Sequence, residues 1–198
     1  MHLLVANFEF ANPQLVKTSL NATQKKRLAT IHHEGRALQY FWSRVLYNGL
    51  MQRLTGHTVT WDLPRDQMHP AIPTGCHNIF TSLSHTKNWI CLGYDFDYPL
   101  GVDIEQVLPR DWLGLSQIYF DDEVRQCIVS SEDPLLTFYC YWGLTECRIK
   151  LGKHVTEDAK ATIKLVNNKK QRTVISALSH PKTAIKLTLL TETLLENW

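Results

Sequence analysis

The chain has 198 residues, of which 44% are hydrophobic, so it can bury the core of one domain or of two small lobes. Its formal net charge of +2 with neutral histidines makes it no polycation, and we expect no nucleic-acid partner. The sequence contains no run of about 18 apolar residues, so we expect no helix that spans a membrane.

The charges are distributed unevenly along the chain. Residues 17–53 carry seven Lys or Arg and one acid, residues 95–133 carry ten acids and two bases, and residues 148–172 carry eight bases and two acids. This order of charges would suit a metal ion bound by the acidic middle segment and an anionic ligand bound by the basic segments on either side. The alternative is that different solvent-exposed faces of the protein carry charges of opposite sign, with no functional role.

The five cysteines are odd in number and form no C-x-x-C pair, so the sequence indicates neither a disulfide framework nor a zinc site. This usage is typical of buried thiols in a reducing compartment. The opening residues, MHLLVANFEF, have no basic segment before a long apolar one and do not predict a secretory signal. We expect a cytoplasmic monomer.

The first part of the chain predicts a strand and then a helical region. HLLVANFEF, residues 2–10, is typical of a strand. Asn21 or Thr23 can cap a helical region that ends at Gly56 and is interrupted near Gly35.

The middle of the chain predicts a loop, a turn and two strands. Residues 57–78 are rich in Pro and Gly, which indicates a loop, and TSLSHTKNW, residues 81–89, indicates a turn before a strand. NWICLGYDF (88–96) and LGVDIEQV (100–107) are typical of strands. The Asp-Tyr-Pro stretch at 97–99 predicts that these two strands form a hairpin.

The last part of the chain predicts two helices and a strand meander. FDDEVRQCIV, residues 120–129, suits a helix with an acidic first turn, and Asp133 and Gly152 suit the two ends of a longer helix. The predicted class is therefore a compact α+β fold. The three predicted meander strands are 161–166, 173–179 and 184–190.

Asp103 and Glu105 lie within the otherwise apolar run 100–107. Residues i and i+2 of a strand share a face, so the two carboxylates lie side by side while Val102 and Ile104 face the core. Close carboxylates repel unless a proton or a cation lies between them. Mg2+ prefers oxygen ligands and keeps waters that phosphate oxygens can replace. The alternative for a bare D-x-E is a solvent-facing strand edge.

Two further stretches could contribute to a phosphate site. In WGLTECRIK (142–150), Trp142, Glu146 and Lys150 share one face of a helix, so Glu146 could add a carboxylate and Lys150 could reach a phosphate. The alternative is an ordinary i,i+4 surface pair. The hydroxyls around His85 could donate to phosphate oxygens, or His85 could be a structural donor in a turn.

Together, SLSH (82–85), LGVDIE (100–105) and WGLTECRIK (142–150) resemble the motifs of the surfactin-type 4'-phosphopantetheinyl transferases, in order and in spacing. The resemblance covers roughly residues 25–152, and the chain length is similar to that of the short bacterial members that serve acyl carrier proteins. It implies transfer of the phosphopantetheine arm of coenzyme A to a serine of an acyl or peptidyl carrier protein, with release of adenosine 3',5'-bisphosphate.

The resemblance also implies a fold of two similar lobes about a pseudo-twofold axis, with coenzyme A in the cleft. The N-terminal lobe, residues 1–97, would carry the nucleotide contacts and SLSH. The C-terminal lobe, residues 98–198, would carry the metal site. The lobes would meet near Tyr98.

The resemblance assigns roles to individual residues. The Mg2+ ligands would be Asp103, Glu105 and Glu146. The groups at the phosphates would be Ser84, His85 and Lys150, of which His85 and Lys150 would act in catalysis together with Glu146. The nucleotide would contact Arg44, with Lys26 and Arg36 as weaker candidates for its 3'-phosphate. The base that accepts the serine proton stays open between Glu146 and a metal-bound water.

The chain departs from the family pattern in places that bear on coenzyme A. Thr145 stands where the family has Lys, Cys147 replaces a small residue, and MHPAIP (68–73) stands where many members have Gly-Lys-Pro. Two alternatives follow. The protein could bind coenzyme A or a carrier protein without turnover, or it could be a metal-dependent nuclease, although those sites need Glu and Lys two apart on a strand.

Overall fold

The computed structural model describes residues 1–16, 20–60, 79–168 and 171–191. Over these residues the fold is mixed α and β, as the α+β prediction requires. The MHPAIP stretch lies outside the described residues. The strands β1 to β7 are His2–Asn7, Phe80–Thr86, Trp89–Asp95, Gly101–Gln106, Lys160–Asn168, Gln171–Ser179 and Lys186–Leu190. The α-helices α1 to α5 are Ala22–Leu28, Glu34–Thr55, Trp112–Tyr119, Asp122–Val129 and Pro134–Leu151.

The helical region near the N-terminus follows its predicted caps. Asn21 begins α1 with a capping box, in which its side chain accepts the Gln24 N–H and the Gln24 side chain accepts the Asn21 N–H. The helix α2 begins beside the predicted interruption, so Gly35 lies in its first turn, and it ends at Gly56 in the left-handed region with φ 74°. The predicted opening strand is confirmed as β1.

The strands form two sheets, and this corrects the predicted hairpin between β3 and β4. The first sheet has the order β2-β3-β1-β7 and the second sheet has the order β4-β6-β5. The chain crosses from one sheet to the other after β3, so β3 and β4 belong to different sheets. β4 pairs with β6 instead, with Asp103 opposite Ser176.

The stretch TSLSHT is strand β2 rather than the predicted turn. It forms a hairpin with β3 in which Thr86 pairs with Trp89, so only Lys87 and Asn88 form the turn. Lys87 adopts a positive φ of 47°, as tight hairpin turns require. The Ser and Thr residues of this stretch had indicated a turn. They are also compatible with a strand, because Ser82, Ser84 and Thr86 are two apart and therefore share one face of β2.

The predicted meander is correct for two of its three strands. β5 and β6 form an antiparallel hairpin. The strand β7 instead returns to the first sheet and pairs in parallel with β1. The predicted lobe boundary after residue 97 lies in the crossing between the sheets. The strands β1, β2 and β3 of the first sheet come before this boundary, but β7, which comes after it, pairs with β1 in the same sheet.

The two sheets pack on each other, and each is covered by a helix on its other face. Leu3 and Val5 of β1 join Val102, Ile104 and Ile175 of the second sheet in one buried cluster. The predicted inward orientation of Val102 and Ile104 is thereby confirmed. The helix α2 covers the first sheet and α5 lies on the second. The layer order α2, first sheet, second sheet, α5 therefore leaves one face of β4 directed towards α5.

The helices after β4 were predicted in part. The helix α5 begins at the Asp133 side chain, which accepts the Leu136 N–H, and continues to the predicted stop at Gly152. The helix α4 begins at Asp121, and α3 had no counterpart among the predicted elements. None of the described helices is long and apolar enough to cross a membrane.

The cysteines are less uniform than predicted. Cys91 and Cys147 are buried, and burial raises the pKa of both thiols, that of Cys91 to about 12, so both stay protonated. Cys127 is exposed and Cys140 is half-buried, which contradicts the expectation of uniform burial. Cys76 lies outside the described residues.

The two crossings between the sheets contact each other. Asp95, at the end of β3, accepts the N–H groups of Asp97 at 2.8 Å and Tyr98 at 3.1 Å, and it pairs with the Met1 ammonium at 2.6 Å. Burial alone would raise the pKa of Asp95, but these donors together lower it. The Tyr98 ring stacks on His180, in the second crossing, at 3.8 Å. Tyr98 therefore lies at the junction of the two sheets.

Gly101 sets how closely α5 approaches β4. A Cβ at Gly101 would lie 2.3 Å from the Cys147 carbonyl oxygen, which is backbone and cannot turn away. We expect Gly101→Ala to lower the free energy of unfolding by about 1–3 kcal/mol through overpacking. Urea denaturation measures this change.

Gly35→Ala is the matched control for that substitution. It places a methyl group in the exposed first turn of α2, 3.3 Å from the His33 ring. It should be neutral or should stabilise the protein by up to about 1 kcal/mol, because alanine favours a helix over glycine. Equal losses in the two variants would contradict a specific contact between β4 and α5.

Candidate functional site

Two sheet edges meet along a row of hydroxyl groups. β2 and β4 are edge strands of their sheets, and side chains of β2 bridge them. The Ser82 Oγ accepts the Val102 N–H at 3.1 Å, and the Ser84 Oγ donates to the Asp103 Oδ1 at 2.7 Å. These contacts satisfy backbone and side-chain groups that an open sheet edge would leave to water. We call this row, with Thr86, the hydroxyl seam.

Thr86 completes the hydroxyl seam at the second carboxylate. Its Oγ1 donates to the Glu105 Oε2 at 3.2 Å. Ser84 and Thr86 are two apart on β2, and Asp103 and Glu105 are two apart on β4, so the period of a strand matches donors to acceptors. The predicted side-by-side arrangement of the two carboxylates is confirmed by these paired contacts.

Lys150 lies at the other side of Asp103. From the last turn of α5, its Nζ donates to the Val102 carbonyl at 2.8 Å and to the Asp103 Oδ1 at 2.9 Å. The Lys150 side chain is 17% exposed and that of Asp103 is 6% exposed, so this ion pair is largely shielded from water. A shielded carboxylate needs such a partner to stay ionised.

The second oxygen of Asp103 has a different environment. The Asp103 Oδ2 is buried and has no hydrogen-bond partner among the described residues, and the same holds for the Ser176 Oγ on the paired strand. A Cβ at Gly143 would lie 2.4 Å from the Ser176 Oγ and 3.5 Å from the Asp103 Oδ2. Glycine at this position of α5 therefore leaves space above two buried polar atoms.

Glu105 lacks a cation as close as the one at Asp103. Burial, and then the negative charge of Asp103, raise the pKa of Glu105 to about 7, although the Thr86 hydrogen bond and the charges of Arg110 and Lys150 oppose the rise. Arg110 lies over the aromatic rings of α5, with its guanidinium carbon 5.4 Å from the Trp142 ring centre. The carboxylate pair thus carries more negative charge than its surroundings neutralise.

This donor set fits a divalent cation. Asp103 offers a buried oxygen without a partner among the described residues, and burial together with the charge of Asp103 raises the pKa of Glu105. Mg2+ commonly uses one or two carboxylates and completes its shell with water and phosphate oxygens. No three His, Cys, Asp or Glu side chains group closely enough to hold a metal within the described ranges. Glu146 is therefore not grouped with the pair, and its role as third ligand stays a prediction.

His85 lies on β2 between Ser84 and Thr86. Its pKa is lowered, first by desolvation against the neighbouring protein and then by the positive charges of Arg44 and Lys150. The ring keeps an exposed side. The Arg44 guanidinium is held by the Ser43 Oγ at 3.1 Å and lies 4.3 Å from the Tyr40 ring centre. The charges of Arg44 and Lys150 thus both act on His85, and the charge of Asp103 opposes them.

The other predicted nucleotide contacts lie elsewhere on the surface. Lys26 is exposed on α1 and Arg36 is exposed in the first turn of α2. Neither side chain forms a hydrogen bond or an ion pair with another described residue. Their contact with a 3'-phosphate stays a prediction.

Thr145 is occupied within its own helix. Its Oγ1 donates to the Tyr141 carbonyl one turn earlier at 3.0 Å. This is the usual back-bond of a mid-helix threonine. The hydroxyl therefore does not replace the long cationic side chain that the family motif has at this position.

Several contacts of the site were not predicted. Ser82 and Thr86 were noted only as hydroxyls near His85 that could donate to phosphate, and their contacts with β4 could have been found from their period-two spacing with Ser84, had the stretch been interpreted as a strand. Ser176 and Arg110 gave no signal, because their positions depend on the pairing of β6 with β4 and on the packing of the segment after β4 against α5.

The chain is similar to the 4'-phosphopantetheinyl transferase psf-1 of Bacillus pumilus, with 32% identity over 98 residues. The matched part is 42% of this chain and 41% of that protein, so the chain spans about two fifths of this relative. No profile of a known protein family matches the chain. The similarity supports a relation to the phosphopantetheinyl transferase superfamily over the matched part of the chain.

The raised pKa of Glu105 predicts a pH dependence of stability. With EDTA present, the folded protein keeps the Glu105 proton up to about pH 7, whereas the unfolded chain loses it near 4.5. The folded state binds more protons in this window, so the free energy of unfolding should fall as the pH rises from about 4.5 to 7. Glu105→Gln should lack this contribution, which we expect to be about 2 kcal/mol.

Urea denaturation across this pH window measures the difference between the wild type and Glu105→Gln. Exposed Glu132→Gln is the control and should follow the wild-type curve. If wild type and Glu105→Gln share one pH dependence, the carboxylate pair is not short of positive charge.

Proposed function

We propose that the protein transfers the 4'-phosphopantetheine group of coenzyme A to a serine hydroxyl of an apo acyl or peptidyl carrier protein, with Mg2+, and releases adenosine 3',5'-bisphosphate. In this proposal the two sheets with their covering helices correspond to two related lobes. The main support for this proposal is that all three sequence motifs contact one another in the structure. SLSH, GVDIE and the end of α5 meet in the contacts of Asp103 with Ser84 and Lys150.

The proposed metal ligands are Asp103 and Glu105, with Glu146 as a candidate third. When bound, Mg2+ would neutralise the pyrophosphate and make its phosphorus atom more electrophilic. The chain's own cations would share that task, because phosphoryl transfer depends chiefly on positioning and on neutralised charge. Arg44 and Lys150 are near enough to His85 for their charges to lower its pKa, and Lys150 contacts Asp103 directly.

In the proposed reaction, the serine oxygen attacks the phosphorus that carries the pantetheine arm. The bond from that phosphorus to the bridging oxygen breaks, and adenosine 3',5'-bisphosphate leaves with the bond electrons. The serine proton needs an acceptor near α5. Glu146 is half-buried there, one turn before Lys150, and its carboxylate has no hydrogen bond or ion pair with another described residue. It is thus available as a base or as a ligand.

The geometry disfavours the nuclease alternative. A nuclease site of the D…E-x-K type needs its Glu and Lys two residues apart on a strand. Here Glu146 and Lys150 are four apart and lie on helix α5. The non-catalytic alternative keeps support from Thr145, whose hydroxyl is used within the helix. A paralogue of that kind would bind coenzyme A and leave carrier proteins unmodified.

A transfer assay tests the proposed function and separates these alternatives. The protein is mixed with coenzyme A, Mg2+ and a panel of apo carrier proteins, and each carrier is measured by intact mass. We expect at least one carrier to gain the phosphopantetheine mass, and excess EDTA to prevent the gain. Asp103→Asn should reduce the rate by about 100-fold or more, because a charge at the reacting centre is lost.

Exposed Asp158→Asn is the control for that variant and should retain the rate. Binding of coenzyme A without any mass gain would favour the non-catalytic alternative. Salt-dependent binding of DNA with cleavage would favour the nuclease.

Arg44 offers a separate test of the nucleotide contact. If Arg44 binds the 3'-phosphate, Arg44→Ala should weaken the binding of coenzyme A by about 1.5–3 kcal/mol and that of dephospho-coenzyme A much less. Calorimetry measures both ligands. Arg53→Ala, further along the same helix, is the control and should change neither affinity by a comparable amount. Equal losses for the two ligands in Arg44→Ala would place Arg44 away from the 3'-phosphate.

A further inference from the structure

Lys150 occupies the position where a cation on Asp103 is needed. Its ammonium contacts the Asp103 Oδ1 and the Val102 carbonyl, two oxygens at the edge of β4, at 2.9 and 2.8 Å. Both are the kind of oxygen that a hard cation binds. The ammonium therefore supplies the positive charge that Asp103 requires before any ligand arrives.

The approach of α5 fixes this arrangement. Gly101 and Gly143 let the helix lie so close to β4 and β6 that added methyl groups would meet Cys147 and Ser176 at 2.3 and 2.4 Å. The Lys150 side chain is 17% exposed, so it is largely enclosed between α5 and β4. Among the described residues, Asp103 is the acid that pairs with it.

A second cation at Asp103 would meet this ammonium. Like charges around one carboxylate repel strongly where water is excluded. The ammonium lies on one oxygen of Asp103, so a divalent cation that binds alone to the other oxygen or to Glu105 lies beside a like charge and binds weakly unless Lys150 moves away. A pyrophosphate that arrives with the cation changes this balance, because its oxygens offer the displaced ammonium a new partner.

We propose that Lys150 is a resident counter-ion of Asp103 that makes metal and pyrophosphate bind cooperatively. Without substrate it holds Asp103 and weakens metal binding. With substrate it moves from Asp103 to the pyrophosphate, so that each ligand strengthens the binding of the other. This inference rests on the proposed function for the identity of the pyrophosphate ligand, but its effect on the metal alone does not.

The experiment measures Mn2+ binding to the full-length protein by electron paramagnetic resonance of free Mn2+, and coenzyme A binding by calorimetry with and without Mn2+. Wild type should bind Mn2+ weakly alone, and Mn2+ should tighten coenzyme A by about tenfold or more. Lys150→Met should tighten Mn2+ alone by about tenfold and lose most of the coupling with coenzyme A.

Two further variants serve this experiment. Lys150→Gln keeps a hydrogen-bond donor without the charge, and it should also tighten Mn2+ if Lys150→Met does not fold. Lys153→Met removes an exposed lysine that follows shortly after Lys150, and it should leave Mn2+ binding unchanged. Thermal melting checks that each variant is folded.

Two outcomes would overturn the proposal. One is unchanged or weaker Mn2+ binding in both Lys150 variants. The other is an equal gain in Lys153→Met, which would show a general charge effect. The Lys150 variants could bind Mn2+ more tightly while the wild type transfers nothing to any carrier protein. That combination would reject the proposed function and support the counter-ion role of Lys150.

Discussion

The ion pair between Asp103 and Lys150 is the contact on which the arrangement of the site depends. A carboxylate that is 6% exposed requires both a counter-charge and hydrogen-bond donors, and neither is available within β4 itself. The charge comes from α5, and a donor comes from β2. Three elements distant in sequence must therefore meet at one oxygen. The close approach at Gly101 and Gly143 and the joined sheet edges both follow from this requirement.

Local features of the sequence predicted local structure well. The caps at Asn21, Gly56 and Asp133 are contacts within a few residues, so their side chains contain the information needed to place a helix end. The orientation of Asp103 and Glu105 followed from the period of a strand alone. The pairing of strands could not be predicted in this way. The alternation of apolar and polar residues along a strand indicates which face is buried, but it does not indicate which other strand lies beside it.

Three of the predicted site residues, Ser84, Asp103 and Lys150, contact one another in a way that was not predicted. Ser84 was predicted to donate to a phosphate, and in the structure it donates to Asp103. Lys150 was predicted to reach a phosphate, and here it holds Asp103. Both differences have one physical reason. The donors and the cation of the site stabilise a buried carboxylate, and a sequence motif does not state which of its own residues contact one another.

The return of β7 to the first sheet affects the order in which the protein can assemble. The second sheet forms from one continuous stretch of chain between β4 and β6, and it can close while later residues are still being synthesised. The first sheet cannot, because His2 pairs with Lys186. Until β7 emerges from the ribosome, the edge of β1 presents unpaired backbone to any other extended segment. Pairing with β7 therefore closes an edge of β1 that only the last described strand of the chain can cover.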